Sequence, residues 1–63
     1  MDTRYYLRTA LRAAQVTYDR SGSIEKAHRA AIEVCYSGGM SLRESQRIAG
    51  WTLRTIRTHY SQD

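Results

Sequence analysis

Residues 38–52 read GGMSLRESQRIAGWT and contain two glycine steps that decide how the chain is divided into helices. The first step, Gly38-Gly39, is suited to ending a helix, because glycine readily adopts the left-handed conformation of a helix C-cap. Ser41 and Glu44 then form the S-x-x-E pattern of a capping box, which starts a new helix. This stretch therefore predicts that one helix ends and another begins within a few residues.

The second glycine step, at Gly50, divides the remainder of the chain again. We expect one short helix over about residues 42–49 and a stop at Gly50. Thr52 is then placed to cap a further helix over about residues 53–61. Two helices joined by a short turn that contains glycine form a helix-turn-helix, and this is the structure that the C-terminal part predicts.

The N-terminal part of the chain has the apolar periodicity of two more helices. One apolar stripe falls within residues 3–18, and the break at Ser21-Gly22-Ser23 separates it from a second stripe, whose helix Ser23 can cap. The stripes consist of Leu7, Ala10, Leu11, Ala14 and Tyr18, and of Ile24, Ala27, Ala31, Val34 and Cys35. The sequence therefore predicts an all-α fold of four short helices, of which the last two form the helix-turn-helix.

The length of 63 residues indicates a single domain with a small core. We expect residues 1–20 to form an N-terminal helix, a candidate dimerisation element, beside a three-helix core formed by residues 23–63. A core of this size favours a staple or a partner subunit.

Three features bear on the compartment. Cys35 is the only cysteine and cannot form a disulfide within the chain, which favours a reducing environment. No apolar run approaches the roughly 18 residues of a membrane span. The N-terminal residues lack the apolar segment of a signal peptide. We therefore expect a cytoplasmic protein with no membrane partner.

The charge balance favours acidic partners. Ten Lys and Arg residues outnumber six Asp and Glu residues, which gives a net charge of +4. Nine of the ten basic residues are arginine, whose planar guanidinium group suits bidentate contacts with phosphate or carboxylate. Nucleic acid is the first candidate among such partners.

Residues 26–60, KAHRAAIEVCYSGGMSLRESQRIAGWTLRTIRTHY, resemble a group of three-helix DNA-binding domains. The group comprises sigma-factor region 4, the LuxR-type regulators and the resolvase or invertase DNA-binding domains. The resemblance rests on Gly39-Met40-Ser41 before the first motif helix, on Gly50-Trp51-Thr52 before the second, and on a recognition helix that includes residues 54–59. It implies a helix-turn-helix that binds DNA, with Trp51 as the apolar plug of its turn.

The same comparison singles out Ser45-Gln46 in the first motif helix. These families usually have an aliphatic residue and then alanine there, where the two helices cross closely. Gln46 must therefore turn outward or find a hydrogen-bond partner.

The last predicted helix has an outer face that is basic and hydroxylated. With Ile56 toward the core, Arg54, Thr58 and Ser61 fall on the opposite side, and Arg57 and Thr55 flank them. Arginine pairs with guanine in the major groove, and threonine contacts base edges or phosphates. Arg43 and Arg47 are candidates for backbone contacts. The predicted DNA-binding residues are thus Thr52, Arg54, Thr55, Arg57, Thr58, Ser61, Arg43 and Arg47; an ordinary solvated face is the alternative.

The first helix carries a second arginine row, formed by Arg4, Arg8 and Arg12. Like charges at this spacing repel, so the row favours an acidic neighbour. That neighbour is either DNA phosphate or a carboxylate cluster on a partner; the alternative is that the row faces only solvent. Candidate partner or dimer contacts on this helix are Tyr6, Leu7, Leu11, Arg4, Arg8 and Arg12. A homodimer is attractive because two copies would read half-sites about one helical turn apart.

We therefore expect a small, sequence-specific, double-stranded DNA-binding regulator from a phage or another mobile element. The alternative is a helical interaction module, such as a phage-encoded inhibitor or adaptor, whose basic faces dock on an acidic protein. An RNA binder is a third reading, although it has few exposed aromatic residues for stacking once Trp51 and Tyr60 are assigned to the core. Cys35 and the histidines lack metal-ligand spacing, so we expect no metal. The sequence also has no Gly-rich phosphate loop and no paired carboxylates suited to a cleft, so we expect no enzymatic activity and no cofactor.

Overall fold

The computed structural model describes residues 3–60, which form three α-helices. The helices are α1 (Thr3–Ser21), α2 (Ile24–Ser37) and α3 (Leu42–Tyr60). Among these residues no strand is present, so the predicted all-α class is confirmed. None of the three helices is both long and apolar enough to cross a membrane.

Glycine and serine make the break between α1 and α2, as the sequence predicts. Gly22 has a φ of 67°, and its N–H group donates to the carbonyl of Tyr18 at 2.7 Å, which closes the last turn of α1. Ser23 is the N-cap of α2, and its hydroxyl accepts from the N–H group of Lys26 at 3.2 Å.

The first glycine step ends α2 in a Schellman motif. Gly39 has a φ of 101°, and the N–H group of Met40 donates to the carbonyl of Cys35 at 3.2 Å. The hydroxyl of Ser41 then accepts from the N–H group of Glu44 at 3.1 Å. The predicted stop at Gly38-Gly39 and the predicted cap at Ser41 are both confirmed.

The second glycine step is not a break, and the prediction of four helices is wrong for this region. α3 continues through Gly50, so the segments predicted over 42–49 and 53–61 belong to one helix. Its buried positions keep helical spacing on both sides of the glycine: Ser45, Ile48, Ala49, Thr52 and Ile56. A glycine within a helix costs only about 0.5–1 kcal/mol relative to alanine, which packing on both sides can override.

The core between the helices is built mainly from small side chains. Tyr6 is its largest member, and its hydroxyl donates to the carbonyl of Gly38 at 2.8 Å. The buried apolar residues are Tyr6, Ala10, Ala14, Ala27, Ala31, Cys35, Ile48, Ala49 and Ile56. Leu7, Leu11, Tyr18, Ile24, Ile32, Met40 and Leu53 pack around them. Because α1 packs on both α2 and α3, it is an integral part of the core rather than an appendage.

Two hydroxyl residues lie in the buried face of α3. Ser45 donates to the carbonyl of Ser41 at 2.9 Å, and Thr52 donates to that of Ile48 at 2.9 Å. These local bonds satisfy the hydroxyl groups, so burying them leaves no donor unpaired. Gln46 is exposed, which is the outward orientation that its position next to the core requires.

Candidate nucleic-acid interface

The solvent face of α3 is a continuous basic surface centred on Gly50. At 100° per residue, this glycine and the four arginines of the helix fall within a sector of about 80°. The surface, called the α3 basic face below, consists of Arg43, Arg47, Gly50, Arg54 and Arg57, all of them exposed. The first and last arginines of this face, Arg43 and Arg57, are 14 residues apart in sequence, which is about 21 Å along the helix axis. Because α3 is unbroken, it unites arginines that the sequence assigned to two separate helices.

Acidic side chains are nearly absent from this helix. α3 contains one, Glu44, which lies in the first turn and about 100° away from the centre of the α3 basic face. Negative charge at that position stabilises the helix N-terminus. The arginines therefore present their charge to solvent with little internal compensation on α3, as a surface for a polyanion requires.

The backbone at the centre of this face is uncovered. A Cβ atom added at Gly50 would meet no atom of the described residues within 4 Å, apart from its two chain neighbours and the nearby backbone of α3 itself. No internal packing therefore explains why the position lacks a side chain. Glycine at such a place allows another molecule to approach the helix backbone closely.

The threonines of α3 have three different environments. Thr52 lies within α3, is fully buried and donates to the carbonyl of Ile48, so its predicted role as a helix cap is wrong. Its contact with DNA stays a prediction, which this buried position does not support. Thr55 is half-buried and donates to the carbonyl of Trp51 at 3.0 Å. Thr58 is exposed and donates to the carbonyl of Arg54 at 2.9 Å, which leaves its methyl group and oxygen lone pairs facing solvent. Ser61 lies outside the described residues, as does the side chain of Tyr60.

Trp51 is not the packed plug that the sequence predicts. Its side chain is 44% exposed, because the continuous helix places it on the flank of α3 instead of in a turn. It borders an open depression of about 420 Å³. The other residues around this depression are Arg54, Thr55, Thr58 and His59.

A second open groove, of about 270 Å³, lies between Trp51 and α1. We call it the Trp51 groove; it is lined by Arg4, Leu7, Arg8, Leu11 and Trp51. Arg12 is exposed on α1 as well but does not line the groove. Tyr6 is only 7% exposed and its hydroxyl donates to the carbonyl of Gly38, so its side chain packs in the core and its predicted partner contact stays a prediction.

Cys35 is a buried member of the core. Burial raises the pKa of its thiol, because the charged thiolate is poorly solvated there. A neutral, buried thiol packs as a small apolar side chain, which agrees with its position on the apolar stripe of α2.

Sequence reasoning missed two features of this surface, the central position of Gly50 and the exposure of Trp51. The signal was present in the spacing of residues 45, 48, 49, 52 and 56, which keeps one helical phase across the glycine. It was obscured because two of these residues, Ser45 and Thr52, are polar and do not count toward an apolar stripe.

No protein-family model matches the chain, and neither a curated protein nor a solved structure is significantly similar to it. The α3 basic face and the Trp51 groove are therefore the features of this protein that bear on its function.

Proposed function

We propose that this protein binds double-stranded DNA by placing α3 in the major groove. The observation that supports this proposal is the α3 basic face, four exposed arginines along one side of an unbroken helix of 19 residues. A helix with its side chains is about 10–12 Å wide, and the major groove is about 12 Å wide. In this proposal α2 and α3, joined by residues 38–41, are the helix-turn-helix, and α3 is its recognition helix.

The arginines have different roles according to their position along α3. Arg47 and Arg54 flank Gly50, where the helix approaches the base pairs most closely, and they pair with base edges such as guanine O6 and N7. Arg43 and Arg57 lie near the ends of the helix and contact phosphates, which position the protein without reading sequence. The lack of a side chain at Gly50 lets the helix backbone sink toward the groove floor.

Fluorescence anisotropy with a labelled random duplex at low salt tests the proposal. Wild-type protein should bind, and its affinity should fall steeply as salt rises, because bound arginines release counterions from DNA. The double variant Arg47→Gln/Arg54→Gln should bind much more weakly. The double variant Arg20→Gln/Arg29→Gln is the matched control, since both residues are exposed arginines outside α3 and the change in net charge is the same. No binding by wild type, or an equal loss in the control, would show that α3 is not the DNA-binding element.

A steric test at Gly50 separates groove insertion from mere electrostatic attraction. Gly50→Leu introduces a good helix-forming residue at an exposed position where an added Cβ atom meets no neighbouring side chain, so the fold should be retained. Its bulk would hold α3 away from the groove floor and lower the affinity without changing the net charge. Affinity equal to that of Gly50→Ala would contradict close approach at this position.

The proposed regulator acts as a homodimer on DNA. One α3 helix supplies few base contacts, whereas two copies would read half-sites about one helical turn apart. Selection of bound sequences from a random duplex pool should therefore return a palindrome. Enrichment of an unpaired half-site would point to a monomer instead.

The second candidate function is a helical interaction module for an acidic protein. The Trp51 groove favours it, because an exposed tryptophan beside Leu7 and Leu11, flanked by arginines, has the composition of a protein-binding hot spot. Affinity capture with and without nuclease distinguishes the two functions. Recovery of one acidic protein after nuclease treatment supports the module, and loss of all bound material supports DNA binding.

A further inference from the structure

Trp51 connects the basic surfaces of two helices. It lines both the depression on α3 and the Trp51 groove against α1. Arg54 lines the depression on α3 together with Trp51, and Arg4 and Arg8 line the Trp51 groove. The cationic surface of α3 thus continues onto α1 at this point, with the indole between them.

The residues that line the two depressions beside Trp51 favour a ligand that carries several negative charges and also has apolar surfaces. Among the described residues that line the two depressions, none is acidic. A second copy of the chain is a poor occupant, because it would bring two arginine rows together in a protein whose net charge is already +4. The other three residues that line the Trp51 groove, besides Arg4 and Arg8, are the apolar residues Leu7, Leu11 and Trp51. A sugar–phosphate backbone matches both properties, because its phosphates are anionic and its deoxyribose rings have apolar faces.

The spacing of the arginines suits a strand that runs past α3. Arg4 and Arg8 are four residues apart, about 6 Å along the axis of α1, and they project on one side of that helix. Trp51 lies on the α1 side of the α3 basic face, not at its centre. With the centre of that face in a major groove, the Trp51 groove would meet the strand that borders the groove.

We propose that the Trp51 groove binds the sugar–phosphate backbone of one strand of the duplex whose major groove holds α3. Arg4 and Arg8 contact phosphates, and the indole packs on deoxyribose, where its N–H group can also donate to a phosphate oxygen. This inference rests on the proposed function and adds a second contact surface to it. It also divides the arginine row of α1, because Arg8 lines the groove and Arg12 does not.

The matched variants Arg8→Gln and Arg12→Gln test this division. Both residues are exposed arginines of α1, so the variants remove the same charge from the same helix. Arg8→Gln should weaken binding to all duplexes about equally and reduce the slope of log affinity against log salt by about 0.9. Arg12→Gln should leave the slope as in wild type. Equal slopes in the two variants, with duplex binding intact, overturn the inference but not the proposed function; absence of duplex binding in wild type overturns both.

Trp51 is the only tryptophan, so its fluorescence reports directly on the groove. Addition of duplex should shield the indole from acrylamide quenching in wild type and in Arg12→Gln, and less so in Arg8→Gln. Trp51→Phe should retain more affinity than Trp51→Ala, since a ring can still pack on the sugar.

Two further ligands test whether the Trp51 groove binds something other than the backbone of duplex DNA. Stronger shielding by a single-stranded oligonucleotide, lost when its bases are removed, would mean that the indole stacks on bases, and would overturn the backbone assignment. Equal shielding by polyglutamate and duplex at the same salt concentration would also overturn it, in favour of an acidic protein.

Discussion

The hydroxyl of Tyr6 donates a 2.8 Å hydrogen bond to the carbonyl of Gly38, and the Tyr6 ring occupies the space that a side chain at position 38 would need. This relationship joins the start of α1 to the end of α2. Gly38 has a φ of −80°, which any residue adopts, so the requirement for glycine there is one of space. At the next residue the requirement is conformational, because Gly39 has a φ of 101° and open space around it.

These two glycines give a paired stability prediction. Gly38→Ala should lower the free energy of unfolding by about 1–3 kcal/mol, because the buried Tyr6 ring must move. Gly39→Ala should lower it by about 1–2 kcal/mol through backbone strain. Urea denaturation of both variants, alone and combined with Tyr6→Leu, separates the causes. Tyr6→Leu should relieve the cost of Gly38→Ala and leave that of Gly39→Ala unchanged; equal coupling to both would contradict the steric explanation.

Gly50→Ala should stabilise the protein. The position is helical and exposed, and an added methyl group meets nothing, so the gain is that of helix propensity, about 0.5–1 kcal/mol. For a domain of this size the midpoint of thermal denaturation should rise by about 2–8 °C, in proportion to that gain. Circular dichroism melting provides the measurement. A clear loss of stability would mean that residue 50 takes a turn conformation and that α3 is two helices after all.

Thr52→Val should alter neither stability nor DNA binding greatly. The hydroxyl donates to the carbonyl of Ile48, which is also the acceptor expected for the N–H group of residue 52 in the helix, so removing it leaves no buried group unpaired. The free energy of unfolding should change by less than about 1 kcal/mol. A fall in DNA affinity with unchanged stability would show that Thr52 reaches DNA, against its buried position.

The Cys35 thiol should react slowly in the folded protein. It is fully buried, so alkylation by iodoacetamide requires opening of the core, and its rate should rise with added urea in parallel with unfolding. Rapid modification without loss of helical structure would contradict the packing of α2 in the core.

The same thiol should also contribute to alkaline destabilisation. Burial raises its pKa above the ordinary value of 9.0, so the folded state keeps the proton where the unfolded chain loses it. The stabilising contribution of the protonated thiol is complete below about pH 9, the pKa of the unfolded chain, and is lost as pH rises through the folded-state pKa. The free energy of unfolding of wild type should therefore fall more than that of Cys35→Ala as pH rises above about 9. An identical pH dependence would indicate that the thiol titrates normally in the folded state.

Local chemistry made the first half of the fold predictable. Gly22 and Ser23 separate α1 from α2 through bonds to Tyr18 and Lys26, which lie within four residues of them. Gly39 and Ser41 make the next break in the same way. Such signals depend on conformational preferences and short-range hydrogen bonds, and tertiary contacts reinforce them here. The apolar stripes of α1 and α2 were recognisable for the same reason, since alanine and leucine occupy them.

The helix after Ser41 was not predictable by the same rules. Gly50 has a modest preference against the helix, and Thr52 is suited to a cap, so local signals favour a break. Burial of Ile48 and Ala49 before the glycine and of Thr52 and Ile56 after it favours one continuous helix instead. Long-range packing outweighs a local preference of about 1 kcal/mol.

The candidate site, like the fold, was predictable from the sequence only in part. Sequence alone identified the arginines, because charge and residue type are readable without a structure, and it determined the helical class and two of the predicted breaks. Only the tertiary structure decided which arginines share a face, that Thr52 and Tyr6 are buried, and that Trp51 faces solvent beside α1. The physical reason is that a side chain's exposure depends on the phase of its helix and on the neighbours of that helix, and the continuity of α3 through Gly50 sets both.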